Sequence, residues 1–113
     1  MKNLTEVNAA SKICIEMRRK HPTGVLITTH DFQRSAMQQF QAEFALDFLP
    51  YIKEKDALKS FTLDFGKWLT DQLMGQATKI ARVKTTNLRG EFSDNQQWHI
   101  SPKPATTAPR SGG

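Results

Sequence analysis

The stretch from 31 to 50, DFQRSAMQQFQAEFALDFLP, decides the fold of this chain. Apolar residues recur in it at every fourth position: Phe32, Ala36, Phe40, Phe44 and Phe48. A spacing of four returns side chains to nearly the same side of an α-helix, so the pattern predicts a helix over 31–49 with an aromatic stripe. Asp31 can cap its start, and Pro50 ends it because a proline inside a helix costs about 3 kcal/mol.

This aromatic stripe is expected to form the core with the next helix, because six of the seven phenylalanines lie between Phe32 and Phe65. Burying about ten large side chains, at about 1.5–3 kcal/mol each, suits a domain of this size. On this interpretation Phe40→Ala and Trp68→Ala should each cost about 3–5 kcal/mol. The alternative is an exposed stripe that binds a partner, and the solvent exposure of the rings decides between the two.

Two more helices are predicted from the same periodicity. The first covers 4–20, and its apolar face consists of Leu4, Val7, Ala10, Cys14 and Met17. The other covers 62–82, with Phe61 and Leu63 packing at its entrance. Its apolar face consists of Phe65, Trp68, Leu69, Leu73, Ala77, Ile80 and Ala81. Gly75 lies within this helix and either admits a second backbone or marks a break, since glycine in a helix costs about 1 kcal/mol relative to alanine.

The remaining segments carry strand and turn patterns. The β-branched run from Val25 to Thr29 predicts a short strand. Strand patterns at 83–86 and 96–100 flank a segment rich in turn residues, so an antiparallel hairpin is predicted near 83–100. The segment 51–56 either continues the second helix or connects it to the third. From 101 onward the chain has three of the five prolines and no large apolar residue, which predicts a disordered tail.

Length and composition favour one small domain. The predicted fold is α+β and mostly helical: three helices, a short strand and a C-terminal β-hairpin over 1–100, then a disordered tail over 101–113. The single cysteine, Cys14, can form neither an intramolecular disulfide nor a thiolate zinc cluster, and we expect it in the core. No apolar run approaches the roughly 18 residues of a membrane span, and the N-terminus lacks the apolar core of a signal peptide. We therefore expect a cytoplasmic protein without a membrane partner.

Residues with catalytic or metal-binding chemistry do not form a motif. The three histidines lack the spacing of metal ligands: His21, His30 and His99. His30 stands at the end of the predicted strand, where a catalytic group could lie, but the adjacent Asp31 is better explained as a helix cap. Glu43 and Asp47 share a helix face and could hold a cation, although a solvated polar face explains such pairs more often. We therefore expect no enzymatic activity, no metal, no cofactor and no small-molecule substrate.

The positive charge is concentrated at the two ends of the chain. Of the net charge of +5, residues 1–21 contribute five basic against two acidic side chains, and residues 79–113 contribute six against two. Helical spacing would align Lys79 and Arg82 at the end of the third helix, with Lys84 on the strand that follows. Lysine and arginine are the residues that contact phosphates, so these clusters indicate a nucleic-acid-binding surface. It consists of Arg18, Arg19, Lys20, Lys79, Arg82, Lys84 and Arg89. The alternative is a solvated basic face, with cations at helix C-termini that complement the helix dipole.

Two functions are consistent with these features. The first is a small basic module that binds nucleic acid and has a regulatory role. The order helix, strand, helix, helix, hairpin is also that of a winged helix, an analogy that favours DNA slightly. The alternative is a phage- or plasmid-type accessory protein that binds and inhibits or modulates a larger nucleic-acid-processing protein of its host. Binding to a generic duplex at two salt concentrations discriminates between them, because phosphate contacts weaken steeply with salt.

Overall fold

The computed structural model describes residues 1–102, which form a mostly helical α+β fold. Its helices are α1 (Lys2–Glu6), α2 (Ala9–Lys20), α3 (Thr29–Gln39), α4 (Gln41–Phe48) and α5 (Ala57–Gln72), with a 3-10 turn at Leu49–Tyr51. Its strands are β1 (Val25–Thr28), β2 (Thr78–Thr86) and β3 (Phe92–Ile100). The predicted fold class is confirmed, although five helices take the place of three. The predicted tail lies outside the described residues, apart from Ser101 and Pro102.

The sheet is antiparallel and has the strand order β1–β3–β2, so β3 is its central strand. β1 pairs with the C-terminal half of β3, and β2 pairs with β3 along almost its whole length. The hairpin begins at Thr78 rather than near 83. Its turn, at 87–91, is shorter than predicted because β3 already begins at Phe92. Both β1 and β2 are edge strands, and β2 presents the longer of the two edges.

The predicted helix over 4–20 is divided at Val7 and Asn8. Asn8 has a left-handed backbone with a φ of 55°, which asparagine tolerates better than most residues do. The start of α1 is capped from α4: the carboxylate of Asp47 accepts hydrogen bonds from the backbone amides of Asn3 and Leu4 at 2.9 and 2.8 Å. Asp47 is buried, so it is neither a solvated surface residue nor a free cation ligand but the contact that joins α1 to α4.

The predicted helix over 31–49 begins earlier and is interrupted. Thr28 is the N-cap of α3 and exchanges hydrogen bonds with Asp31 in a capping box, so Asp31 is the third helical residue and not the cap. At Phe40 the backbone leaves the helical conformation, with φ −129° and ψ 55°, and α4 begins after it. The stripe therefore does not share one helix face. Phe44 is buried, as are Phe32 and Ala36, whereas Phe40 and Phe48 are half-buried against the core.

The predicted helix over 62–82 is shifted towards the N-terminus. Asp56 caps α5 by accepting a hydrogen bond at 3.3 Å from the backbone amide three residues later. After α5 ends, Gly75 turns the chain with a φ of 81°, which disfavours a side chain, so Gly75 marks a break. Residues from Thr78 onward pair with β3 instead. As a result Ile80, expected on the apolar helix face, is 51% exposed on β2, and Leu63 is also exposed, at 59%.

Phe61 is at the centre of an aromatic cluster formed by α4, the 3-10 turn and α5. Its ring centroid lies 5.1, 5.2, 5.4 and 6.1 Å from those of Phe44, Phe48, Tyr51 and Phe65, respectively. The three shortest pairs are edge-to-face, an arrangement that the charge distribution of aromatic rings favours. Phe61 and Phe65 are almost inaccessible to solvent, whereas Trp68 is half-buried, so the first two dominate this part of the core.

The core continues under the sheet, where α2 and α3 pack against β3. Trp98 and Ile100 are buried there, and the indole N–H of Trp98 donates to the hydroxyl of Thr29 at 3.1 Å. Cys14 is also buried, as expected, and burial raises the pKa of its thiol to about 11. Of the helices within 1–102, none has the length and apolar character needed to cross a membrane.

Candidate nucleic-acid interface

The sequence predicted Lys79 and Arg82 at the end of a helix. In the structure the cations of β2 lie on an edge strand instead. Lys79 pairs with Trp98. Arg82, three residues later, pairs with Gln96, so the register shifts by one residue between them. Since Trp98 and Gln96 are two residues apart on β3, they share a face, and the shift places Lys79 and Arg82 on that face too. The register is unbroken from Arg82 onward, which adds Lys84 to the same face.

A groove runs between α5 and the β2–β3 hairpin, and we call it the hairpin groove. It consists of two adjoining cavities of about 290 and 330 Å³. The inner cavity, of 290 Å³, is lined by three cations: Lys67, Lys79 and Arg82. Neutral residues complete its wall: Thr62, Thr70, Asn95 and Gln96. Asn95 is itself buried, and its amide is bonded to His30, Val83 and Thr85. The inner cavity therefore combines positive charge with hydroxyl and amide groups.

The outer cavity, beside the turn of the hairpin, is less basic and has more apolar side chains in its wall. Arg89 lines it, but the Arg89 guanidinium is paired with Asp56 at 3.4 Å and with Glu91 at 3.3 Å. Apolar side chains form a second part of its wall: Leu58, Leu63, Leu88 and Phe92. Arg89 is thus placed at the groove, as its position at the hairpin turn predicted, with its charge compensated by two carboxylates.

The basic cluster at the end of α2 also makes contacts within the protein. Arg18 donates to the backbone carbonyl of Gln76 at 3.1 Å, which brings this end of α2 close to the start of β2. Arg19 and Lys20 pair with Glu16 at 2.6 and 3.5 Å. The hydrogen bond from Arg19 holds the pKa of the Glu16 carboxyl below its usual value. Arg19 and Lys20 are therefore partly compensated by Glu16, whereas Arg18 is held by a neutral carbonyl and forms no ion pair among the described residues.

Four cations near the groove differ from Arg19 and Lys20 in this respect. Within the described part of the chain, none of them forms an ion pair: Lys67, Lys79, Arg82 and Lys84. Asp94 is the acid among them, since it is opposite Lys84 in the register and lines both cavities. Lys84 itself lies beyond the cavity walls. Lys67 has no distinguishing signal in the sequence, because a lysine on the polar side of a helix is usual and only packing shows what it faces.

His30 lies at the first turn of α3, in the wall of both cavities, and its side chain belongs to a buried polar cluster. Its Nδ1 is 3.0 Å from the Thr85 hydroxyl, and its Nε2 is 3.4 Å from the Ser93 hydroxyl. Its backbone N–H donates to the side chain of Asn95 at 2.9 Å. These contacts join α3 to both strands of the hairpin, and Arg34 adds hydrogen bonds to the carbonyls that end β2. His30 is 2% exposed, which makes it a structural link between α3 and the hairpin.

The free energy of unfolding should fall at acidic pH because of His30. Burial lowers the pKa of His30, and the charges of Arg34 and Arg82 act in the same direction, whereas Asp31 and the Thr85 bond oppose them. The unfolded chain therefore takes up a proton below about pH 6.5 that the folded chain resists, so stability is fully present above this pH. This stabilisation is lost as the pH falls from about 6.5 towards the lower pKa that His30 has in the folded chain, by at most about 1.4 kcal/mol per pH unit.

Urea unfolding of the His30→Gln variant between pH 7.5 and pH 5.5 tests this. The free energy of unfolding of the variant should fall less between these pH values than that of the wild type, because glutamine does not titrate. His21→Gln, which removes an exposed histidine outside the cluster, is the matched control and should retain the wild-type decline. An identical decline in wild type and His30→Gln would contradict the assignment.

No group of three or more histidine, cysteine or carboxylate side chains within residues 1–102 could hold a metal ion. Glu43 does not join Asp47 in such a group, because Asp47 is occupied by the amides of α1. Comparison with known proteins adds no relative from which a role could be transferred: no protein family, no curated protein and no solved structure matches this chain.

Proposed function

We propose that this chain is a small non-enzymatic module that binds nucleic acid through β2 and the hairpin groove, in a regulatory role. The main support is a set of cations without ion pairs: Lys79 and Arg82 on β2 and Lys67 on α5 line the groove from both sides, and Lys84 extends the β2 row beyond it. With Asp94 among them, these four cations leave a local net charge of +3. Phosphate oxygens are the ligands that such side chains contact in nucleic-acid complexes.

A structural role explains part of this charge. Lysine and arginine on an exposed edge strand prevent it from pairing with another chain, and β2 is such a strand. That role does not extend to Lys67, which lies on α5 across the groove from β2. The neighbouring Thr70 and Gln96 donate to backbone carbonyls of the protein, and their oxygen atoms can in addition accept hydrogen bonds from a ligand. Cations that converge from two elements therefore favour a ligand over edge protection alone.

The double variant Lys79→Ala/Arg82→Ala should weaken duplex binding without unfolding the protein. Each lost phosphate contact lowers the slope of log K against log salt by about 0.9, so two lower it by roughly 1.8. At 0.1 M salt this corresponds to an affinity about 60-fold lower. Fluorescence anisotropy of a labelled generic duplex, titrated at several salt concentrations, measures both quantities. Arg89 is left intact in this variant, because its ion pairs would add a second effect.

The matched control is Lys2→Ala/Lys53→Ala, which removes the same charge from two exposed lysines on the helical side of the molecule. Neither lines the hairpin groove, so this variant should retain nearly the wild-type affinity and slope. Melting temperatures of both variants should stay near wild type, since an exposed charge contributes about 0–1 kcal/mol. Equal slopes for the β2 variant and the control would refute the proposed phosphate contacts.

A second candidate function, an accessory protein that modulates a larger nucleic-acid-processing protein, is supported by a different surface. Leu46, Leu49 and Ile52 follow at intervals of three around the end of α4 and are 50, 54 and 59% exposed. Exposed apolar side chains grouped in this way are typical of protein contact sites. Absence of duplex and single-strand binding at low salt would favour this candidate over the first.

A further inference from the structure

Phe92 is the phenylalanine whose environment differs from that of all others in the chain. It is 77% exposed, whereas the other six phenylalanines are buried or half-buried. It is the first residue of β3, next to the turn of the hairpin. An aromatic ring exposed to this extent contributes little to folding, because almost none of its apolar surface leaves the solvent. Its position therefore calls for an explanation outside the core.

The strand register places Phe92 on the same face as the β2 cations. Between Arg82 and the end of β2 the pairing is unbroken, with Lys84 opposite Asp94 and Phe92 opposite the last residue of β2. Alternate residues of a strand share a face, so Gln96, Asp94 and Phe92 follow one another along it. Neighbouring positions of such a row are about 7 Å apart. The ring is thus the last member of a row on β3 that also contains the Gln96 amide and the Asp94 carboxylate. Arg82 and Lys84 lie beside this row on β2.

The groove leads along this same face. Phe92 lines the outer cavity, and Arg82 and Gln96 line the inner one. Aromatic rings on a sheet surface beside lysine and arginine are the arrangement that binds unpaired bases, with the ring stacked on a base and the cations at the phosphates. In a duplex the faces of the bases are covered by their neighbours, so an exposed ring gains this contact only with an unpaired base.

We propose that the hairpin groove binds single-stranded nucleic acid, with Phe92 stacking on one base and the β2 cations holding the phosphates beside it. This inference rests on the proposed function, and it specifies the class of nucleic acid that the same surface binds. Gln96 and Thr70 in the inner cavity donate to backbone carbonyls of the protein, so their oxygen atoms are the groups that then accept hydrogen bonds from sugars and base edges. RNA and DNA share the stacking and phosphate contacts, so both are tested.

Anisotropy titrations of the full chain with labelled oligothymidylate and oligouridylate of about twelve nucleotides, and with a duplex of equal length, test the proposal. We expect the wild type to bind a single strand more tightly than the duplex. Phe92→Ala should weaken single-strand binding by about 5- to 150-fold, the range for loss of one stacked base, and leave duplex binding nearly unchanged. Tighter binding of oligouridylate than of oligothymidylate by the wild type would identify RNA as the preferred ligand, and the reverse would identify DNA.

Two further substitutions separate stacking from a general apolar contact. Phe92→Trp keeps a stacking surface and should retain wild-type affinity, and the fluorescence of the introduced indole should be quenched when the oligonucleotide binds. Phe92→Leu keeps the apolar character without the ring and should resemble Phe92→Ala. Because Phe92 is exposed, the melting temperatures of all three variants should stay within about 3 °C of wild type, so a loss of binding is not a loss of folding.

The outcomes distinguish this inference from the proposed function. If the wild type binds neither the duplex nor the single strands at low salt, the proposed function itself fails. If the wild type binds them and Phe92→Ala weakens neither, nucleic-acid binding stands and the stacking proposal is wrong. An equal loss of duplex and single-strand binding would also overturn the proposal, because the ring would then not select unpaired bases.

Discussion

Replacing Phe61 by alanine should lower the free energy of unfolding by about 3–5 kcal/mol. Phe61 is fully buried and touches four other aromatic rings, so its removal leaves a cavity that the surrounding helices can close only in part. A domain of this size has a total stability of about 5–15 kcal/mol, so the loss is a large fraction of it. Urea unfolding monitored by circular dichroism measures the change.

Phe92→Ala is the matched control for Phe61→Ala, since the same atoms are removed from a ring that is 77% exposed. It should change the stability by less than about 0.5 kcal/mol. Phe40→Ala and Trp68→Ala, which the sequence alone marks as core substitutions, should fall between the two because both side chains are half-buried. Equal effects of Phe61→Ala and Phe92→Ala would contradict the aromatic cluster described above.

Asp47→Ala should destabilise the fold by about 3 kcal/mol, the second largest effect we expect. The Asp47 carboxylate accepts hydrogen bonds from the backbone N–H groups of Asn3 and Leu4 and from the Asn3 side chain. Met1, the residue before α1, provides no side-chain cap, so these amides would lose their partner. Unsatisfied buried donors cost about 1–3 kcal/mol each. Thermal melting and amide hydrogen exchange of residues 3 and 4 would report the loss.

Glu43→Ala is the matched control for Asp47→Ala. Glu43 is one turn earlier on α4 and has no hydrogen bond to α1 among the described contacts, so its removal should change the stability by less than about 0.5 kcal/mol. Asp47→Asn, which keeps one acceptor oxygen, should recover part of the stability. If Asp47→Ala melts like Glu43→Ala, the amides of α1 are satisfied without Asp47 and the capping contact is not stabilising.

Much of the candidate site could be located from the sequence, but its geometry could not. The basic residues of 79–89 were found because charge clustering is visible in the chain itself. Their alignment was assigned to a helix, whereas it depends on a one-residue register shift between Lys79 and Arg82. Lys67 was missed, since it joins the other cations only through the packing of α5 beside the hairpin. Phe92 had no signal beyond being an aromatic residue outside the core region.

The sequence by itself determined the α+β class, the C-terminal hairpin and the aromatic core, because helices and strands leave periodic patterns in neighbouring residues. The breaks at Asn8, Phe40 and Gly75 were not determined in this way, since each depends on what the flanking segments pack against. The hydrogen bonds by which Asp47 caps α1 connect residues that are separated by 44 and 43 positions in the sequence. The contact between His30 and Thr85 connects residues that are 55 positions apart. Only the tertiary structure decides such contacts, because they form between segments whose approach is set by the whole core and not by local propensity.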